Sequence, residues 1–217
     1  MQEHGTDANE LDTGTTVVGV VAEGGDERRS EDDPAVVLAT DRRASLGRMV
    51  SSKSVQKVQE IADGAAMAYS GSVSGADALT NSLRTQVSLY ETRRSKEMSP
   101  TALGNLVGNA LRENQFGVQP VVAAVDGGAD GARLFSYDGA GGRTEADYAA
   151  VGSGTPYAYG HLEDAYESEL TVAEATELAE EAVAVATERD TASGNGRCLA
   201  VVRADGVEID TAATIGA

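Results

Sequence analysis

A chain of 217 residues with an apolar fraction of 41% is long enough for one large domain, or two small ones, around a sizeable core. Its 35 acidic against 17 basic residues give a formal charge of −18, which argues against nucleic acid as a partner, since affinity for phosphate backbones comes mainly from Lys and Arg. Two histidines and one cysteine leave the usual ligands of a transition-metal site scarce and an internal disulfide impossible, and no run approaches the roughly 20 apolar residues of a membrane span.

Residues 1–14 are polar and without periodicity, the pattern of a disordered leader. They lack a cationic stretch followed by an apolar one, so they do not read as a secretory signal, and a cytoplasmic location is expected. Thr15 to Ala22 (TTVVGVVA) is a β-branched run typical of a buried strand. The charged, Gly-containing stretch Glu23 to Asp33 predicts an exposed loop, followed by a second strand over Ala35 to Thr40. Strand-like runs continue through Val55 to Ile61 and Ala65 to Ser70. Ser74 to Lys96 then places Ala78, Leu79, Leu83, Val87 and Tyr90 at helical spacing, and Thr101 to Arg112 repeats the pattern after a Ser99-Pro100 start signal. Further strands are predicted at Gln119 to Asp126, Arg133 to Tyr137 and Glu145 to Val151, and helices at Tyr157 to Tyr166 and Val172 to Arg189. Gly196 to Asp210 reads as a hairpin turned at Ala204-Asp205-Gly206, with the lone Cys198 a buried residue of its first strand. Strands separated by paired helices imply an α+β domain of two stacked sheets with a helix layer outside each, a four-layer αββα sandwich without a second domain.

Several short motifs punctuate this order. Gly14-Thr15-Thr16 opens the first strand, Asp41-Arg42-Arg43 follows directly on the second, and Lys57 comes 16 residues after Asp41. Ser70-Gly71 closes another strand, Gly152-Ser153-Gly154-Thr155-Pro156 lies between a strand and a helix, and Arg189-Asp190-Thr191-Ala192-Ser193-Gly194 ends the last long helix. Taken singly each has an ordinary reading: β-propensity for Thr15, a solvated strand end for Asp41, a surface position for Lys57, and turns for Gly152 and Gly194.

Together and in register, GTTVVGV, LATDRRAS, the lysine of VQKVQ, YSGSVSGAD, YAAVGSGTPYAYG and RDTASGNG resemble a proteasome core β-subunit of the archaeal type, over essentially the whole chain from Thr15 onward. The one departure is the Glu23–Asp33 insert, which lengthens the interval from Thr15 to Asp41 in a hairpin loop where length changes are tolerated. The resemblance implies an N-terminal-nucleophile hydrolase fold and a threonine endopeptidase. Residues 1–14 would be a propeptide removed by self-cleavage between Gly14 and Thr15, leaving 15–217 as the peptidase domain.

A hydroxyl is a poor nucleophile until a base takes its proton, and a freed α-amine, with an unperturbed pKa of about 7.7–8.0, suits that task at neutral pH. By resemblance Thr15 is both nucleophile and base, Lys57 supplies a positive charge beside its hydroxyl, and Asp41 holds Lys57 charged and oriented. The N–H of Gly71 forms the oxyanion hole, while Ser153, Asp190 and Ser193 position the amine. Ala44, Val55, Gln59, Tyr69 and Val73, with Asp77 deeper, would line the primary substrate pocket, and Ser45 would hold the substrate backbone as an added strand. No cofactor or metal is implied. The implied partners are α-subunit rings and other β-subunits in stacked heptamers, unfolded protein substrates, and an ATP-dependent unfoldase acting through the α-rings, with no role for nucleic acid or membrane. Three other readings share parts of this pattern. One is a catalytically silent β-subunit of the same barrel. A second is an N-terminal-nucleophile hydrolase of small amides, which has the sandwich but not the SGSVSGAD and RDTASG stretches at this spacing. A third is the bacterial two-ring relative, less similar around Gly152–Pro156.

The acidic residues are spread along the chain rather than clustered, while Phe occurs twice and Trp not at all. That distribution fits a salt-rich cytoplasm, where screening tames self-repulsion, better than a local acidic patch. Assembly and activity should therefore depend strongly on salt. A protein equally assembled and active in dilute buffer, by size-exclusion chromatography and peptide hydrolysis, would contradict this.

Overall fold

All seven residues of β1 (Thr16–Ala22) are buried, because both faces of this strand are covered. Val18, Val20 and Ala22 project to one side and Val17 and Val21 to the other, into separate clusters of the core. The structure, a computed structural model, describes residues 14–23, 33–46, 49–128 and 130–214. The leader before Gly14 and most of the charged insert lie outside the described residues. Where the chain resumes, β2 (Ala35–Asp41) pairs antiparallel with β1 in the register Ala22↔Ala35, so the insert joins two neighbouring strands.

After β2 comes a small hairpin of its own, β3 (Ala44–Leu46) and β4 (Met49–Ser52), with Met49 and Val50 exposed. β5 (Val58–Ala62) and β6 (Ala65–Gly71) then open a second sheet. Two helices cross its outer face, α1 (Val73–Arg94) and α2 (Pro100–Glu113). Both start where a serine can cap: Ser72 Oγ accepts from Gly75 N at 3.2 Å, and Ser99 Oγ from Ala102 N at 3.4 Å. β7 (Val118–Val125), β8 (Ala132–Tyr137) and β9 (Arg143–Glu145) complete that sheet in the order β5-β6-β7-β8-β9. β10 (Tyr148–Gly152) returns to the first sheet, and α3 (Thr155–Ala165) and α4 (Val172–Arg189) cover its outer face. A capping box between Thr171 and Glu174 starts α4. β11 (Arg197–Arg203) and β12 (Gly206–Ala212) form the final hairpin, giving the order β10-β1-β2-β11-β12.

Three apolar clusters define four layers. Met67, Tyr69, Leu79, Leu83, Val107 and Leu111 pack between the second sheet and α1 with α2. Val18, Val37, Leu162, Ala179 and Val183 pack between the first sheet and α3 with α4. Val17, Leu38, Val121, Leu134 and Cys198 fill the space between the sheets. Each fully buried Val or Leu contributes about 1.5–3 kcal/mol relative to exposure, so the sheet interface is a main source of stability. Gly19 shows how tight it is: a Cβ there would lie 2.6 Å from Leu134 Cδ1. Among the described residues no helix is long and apolar enough to cross a membrane.

The αββα order expected from the sequence is the one observed, and α4 has the expected limits. Two local expectations are corrected. The single strand expected over Glu145 to Val151 is two pieces in different sheets: Ala146 N donates to Leu134 O (3.4 Å) in one, while Asp147 O accepts from Val21 N (2.7 Å) in the other. A continuous strand signal cannot register a change of partner. The run beginning at Val55 becomes strand only at Val58, because Val55 N is engaged instead by Arg42 O at 3.1 Å.

Candidate active site

The end of β2, the start of β5, the ends of β6 and β10, and the loop after α4 meet around the first residues of β1. At their centre the Asp41 carboxylate is fully buried and accepts four hydrogen bonds. Oδ1 takes Thr16 N at 2.9 Å and Lys57 Nζ at 2.8 Å; Oδ2 takes Arg43 N and Gly194 N, each at 2.9 Å. A carboxylate removed from water to this degree is tolerable only when paired and hydrogen-bonded. Gly194, at φ +145, closes the loop where a Cβ would stand 2.6 Å from Arg43 Nη2.

Lys57 is 2% exposed, and its Nζ donates both to Asp41 and to Thr15 Oγ1, the latter at 2.7 Å. Burial pulls its pKa below that of an ordinary lysine, while the Asp41 carboxylate acts in the opposite direction. Asp190 also favours the charged form and Arg43 opposes it. The surface position that suits an isolated lysine is not the one observed.

Gly14 and Thr15 are joined in this chain, and Thr15 Oγ1 donates to the Gly14 carbonyl oxygen at 2.7 Å while accepting from Lys57. The hydroxyl therefore lies against the peptide group that precedes it. Gly14 is buried in a space that admits no side chain: a Cβ would be 1.8 Å from Ala192 Cβ. On the other side Thr15 N donates to Ser153 Oγ at 3.2 Å. Ser153 Oγ in turn donates to Asp190 Oδ2 at 2.5 Å, and Ser193 Oγ donates to the same oxygen at 2.6 Å. Ala192 N donates to Asp190 Oδ1 at 3.1 Å.

The structure thus brings Thr15, Asp41, Lys57, Ser153, Asp190 and Ser193 into one connected set, although Asp190 and Ser193 reach Thr15 through Ser153 and Thr16 rather than directly. Gly71 ends β6 at φ +109, with a Cβ position 2.3 Å from Gly117 O. Its neighbour Ser70 approaches the set at Gly152, where a Cβ would be 2.0 Å from Thr15 O and 3.1 Å from Ser70 Oγ. Ser45 is buried, with Oγ donating to Ala192 O at 3.3 Å, and Ala44 is buried beside it. Of the expected pocket residues, Val55 and Gln59 are half-buried, Val73 is exposed, and Tyr69 is buried in the core under α1. Gln59 Nε2 donates to Asp77 Oδ1 at 2.7 Å. Among the described residues no group of three His, Cys, Asp or Glu side chains is placed to hold a metal ion.

Three participants carry no role in the sequence reading. Thr16 Oγ1 meets Ser193 Oγ at 2.8 Å. Arg43 clasps the loop after α4, donating through Nε to Asn195 Oδ1 (2.9 Å) and through Nη1 to Thr191 O (2.7 Å). Asn195 sits at φ +65, which the Gly194-Asn195-Gly196 turn pattern signals.

A family profile described as "Proteasome subunit" matches residues 11–202. The chain belongs to the proteasome subunit family. Proteins named "Proteasome subunit beta" from Halorubrum lacusprofundi and Haloferax volcanii are each 49% identical to it over 92% of this chain and 78% of their own length. One of the same name from Halorhabdus utahensis is 48% identical over 96% of this chain and 85% of its own. Within this family member the Asp41–Lys57 pair makes a direct test of the geometry. Asp41→Asn leaves Lys57 buried without its counter-charge, and should cost about 3–5 kcal/mol by urea unfolding of the isolated chain. A loss well under 1 kcal/mol would mean the two groups are not paired in the folded protein.

Proposed function

We propose that this chain is a catalytic β-type subunit of the proteasome core, a cytoplasmic threonine endopeptidase of unfolded proteins whose nucleophile, Thr15, is released by self-cleavage after Gly14. The observation that carries this reading is the Lys57 ammonium, one of only three lysines in the chain, held between Thr15 Oγ1 and the Asp41 carboxylate.

In the precursor, Thr15 Oγ adds to the Gly14 carbonyl carbon against which it already lies, and the C–N bond breaks as the hydroxyl proton passes to the Thr15 nitrogen. The resulting ester is hydrolysed by water, freeing the Gly14 carboxylate and the Thr15 amine. Gly14 suits this step because nothing larger fits beside Ala192. In the mature site the amine takes the Thr15 hydroxyl proton as Oγ attacks a substrate carbonyl. The positive charge of Lys57 favours the alkoxide and holds the amine pKa down, so that the free base is present near neutral pH. The Gly71 N–H stabilises the oxyanion. Tyr69 N donates to Lys57 O at 3.2 Å, and N–H groups two apart on a strand point the same way, so that of Gly71 is turned toward the Lys57 side. As the tetrahedral adduct collapses, the amine returns its proton to the leaving nitrogen; water then hydrolyses the acyl ester. Ser153, Asp190 and Ser193 orient the amine throughout.

Rings of β-subunits stacked on α-rings, fed by an unfoldase, are the assembly in which such a site would work; the names of the relatives support the β assignment. The test is the intact mass of the chain after co-assembly with α-subunits. A chain beginning at Thr15 is expected, while Thr15→Ala should keep the leader and lose peptidase activity. A chain beginning at Thr16 would move the nucleophile, and an uncut chain in a complete barrel would favour a silent structural subunit.

The pocket reading follows from Ala44, Val55 and Val73, which make it mostly apolar; Tyr69, expected in its lining, is buried in the core under α1 instead. The Tyr69 phenol is pushed up to about 12, by burial first and then by Asp77, and stays neutral throughout the working range. Cleavage after hydrophobic residues is expected. A panel of fluorogenic peptides checks this, and a clear preference for basic residues would refute it.

A further inference from the structure

Thr16, like Thr15, is wired to both halves of the site. Its backbone N–H donates to Asp41 Oδ1, the oxygen that also holds Lys57, and its hydroxyl meets Ser193 Oγ at 2.8 Å. The direction of the second bond follows from counting hydrogens. Ser193 has a single hydroxyl proton, and it is committed to the Asp190 carboxylate at 2.6 Å, since an ionised carboxylate only accepts. Thr16 is therefore the donor, and the chain runs Thr16 O–H to Ser193 O–H to Asp190. Ser153 reaches the same Asp190 oxygen from the other side while accepting from Thr15 N. Thr16 is fully buried, and its hydroxyl is boxed in by Gly154, where a Cβ would be 1.9 Å from Thr16 Oγ1 and 3.0 Å from Ala186 Cβ. Neither strand pairing nor packing needs an oxygen here; valine has the same shape and higher β-propensity.

We propose that the Thr16 hydroxyl is a positioning group for the Thr15 amine: by donating to Ser193 it strengthens the donation of Ser193 to Asp190, and so sets how much of that carboxylate's charge the amine experiences. Hydrogen bonds in such a chain polarise one another, and each donor spent on Asp190 reduces the field left to raise the basicity of the amine. The ionisable groups around this point are Asp41 at the end of β2, Lys57 before β5, Asp190 after α4 and Arg43 in the turn between β2 and β3. Of these only Asp190 is reached through Thr16's side chain; Asp41 is reached through its backbone, which a substitution leaves in place.

The inference rests on Thr15 being the nucleophile, and the experiment separates the two. In barrels assembled with α-subunits, Thr16→Val should lower kcat about three- to tenfold with KM little changed, as expected for one lost hydrogen bond. The acid limb of the kcat/KM profile should move to higher pH by about 0.5, because an amine facing more of the Asp190 charge stays protonated longer. Thr16→Ser should restore both. Gly154→Ala, which displaces the hydroxyl without altering residue 16, should reproduce the same movement of the acid limb. An unmoved acid limb in Thr16→Val, or in Gly154→Ala where Thr16→Val fails to assemble, overturns the proposal even if stability falls. A fully active Thr15→Ala barrel overturns the reading of the nucleophile instead.

Discussion

Burying a carboxylate without partners costs more than a domain of this size has in total stability, so the position of Asp41 dictates much of what surrounds it. Its two oxygens gather a backbone amide from β1, one from the turn after β2, one from the loop after α4, and the ammonium of Lys57 from the approach to β5. Three segments distant in sequence are thereby held to the turn after β2. Each has little freedom, because moving any one of them leaves a buried charge short of a donor. The pair with Lys57 is better viewed as a geometric device than as a source of stability, since the desolvation of both ions offsets most of their attraction.

The balance at Lys57 decides the chemistry the site can perform. Burial alone would favour the neutral amine, whose lone pair would compete for the Thr15 proton. Asp41, 2.8 Å away, acts in the opposite direction, and the Lys57 amine lies between that carboxylate and the Thr15 hydroxyl. The opposite side of Thr15 is built differently, from hydroxyls converging on Asp190, with no cation in direct contact with that carboxylate among the described hydrogen bonds. Thr15 is thus flanked by an ion pair on one side and a hydrogen-bond chain on the other. Glycines serve both sides by close approach: Gly14 against Ala192, Gly152 against the Thr15 carbonyl, Gly194 against Arg43.

The layered fold was legible because its signals are local. The Ser99-Pro100 start marks a helix whatever it packs against, and β-branched runs such as TTVVGVVA and AVVLAT mark strands buried on both faces. What escaped was the choice of partner: Ala146 and Asp147 are neighbours in sequence, yet their backbones bond to different sheets. The short hairpin of β3 and β4 also escaped, because three- and four-residue strands carry too little periodicity to register.

The site divides along the same line. From the amino-acid sequence alone came the layer order, the family resemblance, and the candidacy of Thr15, Asp41, Lys57, Gly71, Ser153, Asp190 and Ser193, since residue types at fixed spacings survive without coordinates. Tertiary structure alone decided that Asp41 and Lys57 are buried rather than solvated, that Ser193 speaks to Thr16 instead of to Thr15, and that Arg43 and Asn195 clasp the loop carrying Asp190. Burial and hydrogen-bond direction are properties of pairs brought together from opposite ends of the chain, as Thr16 and Ser193 are across 177 positions, and no window of sequence contains both members.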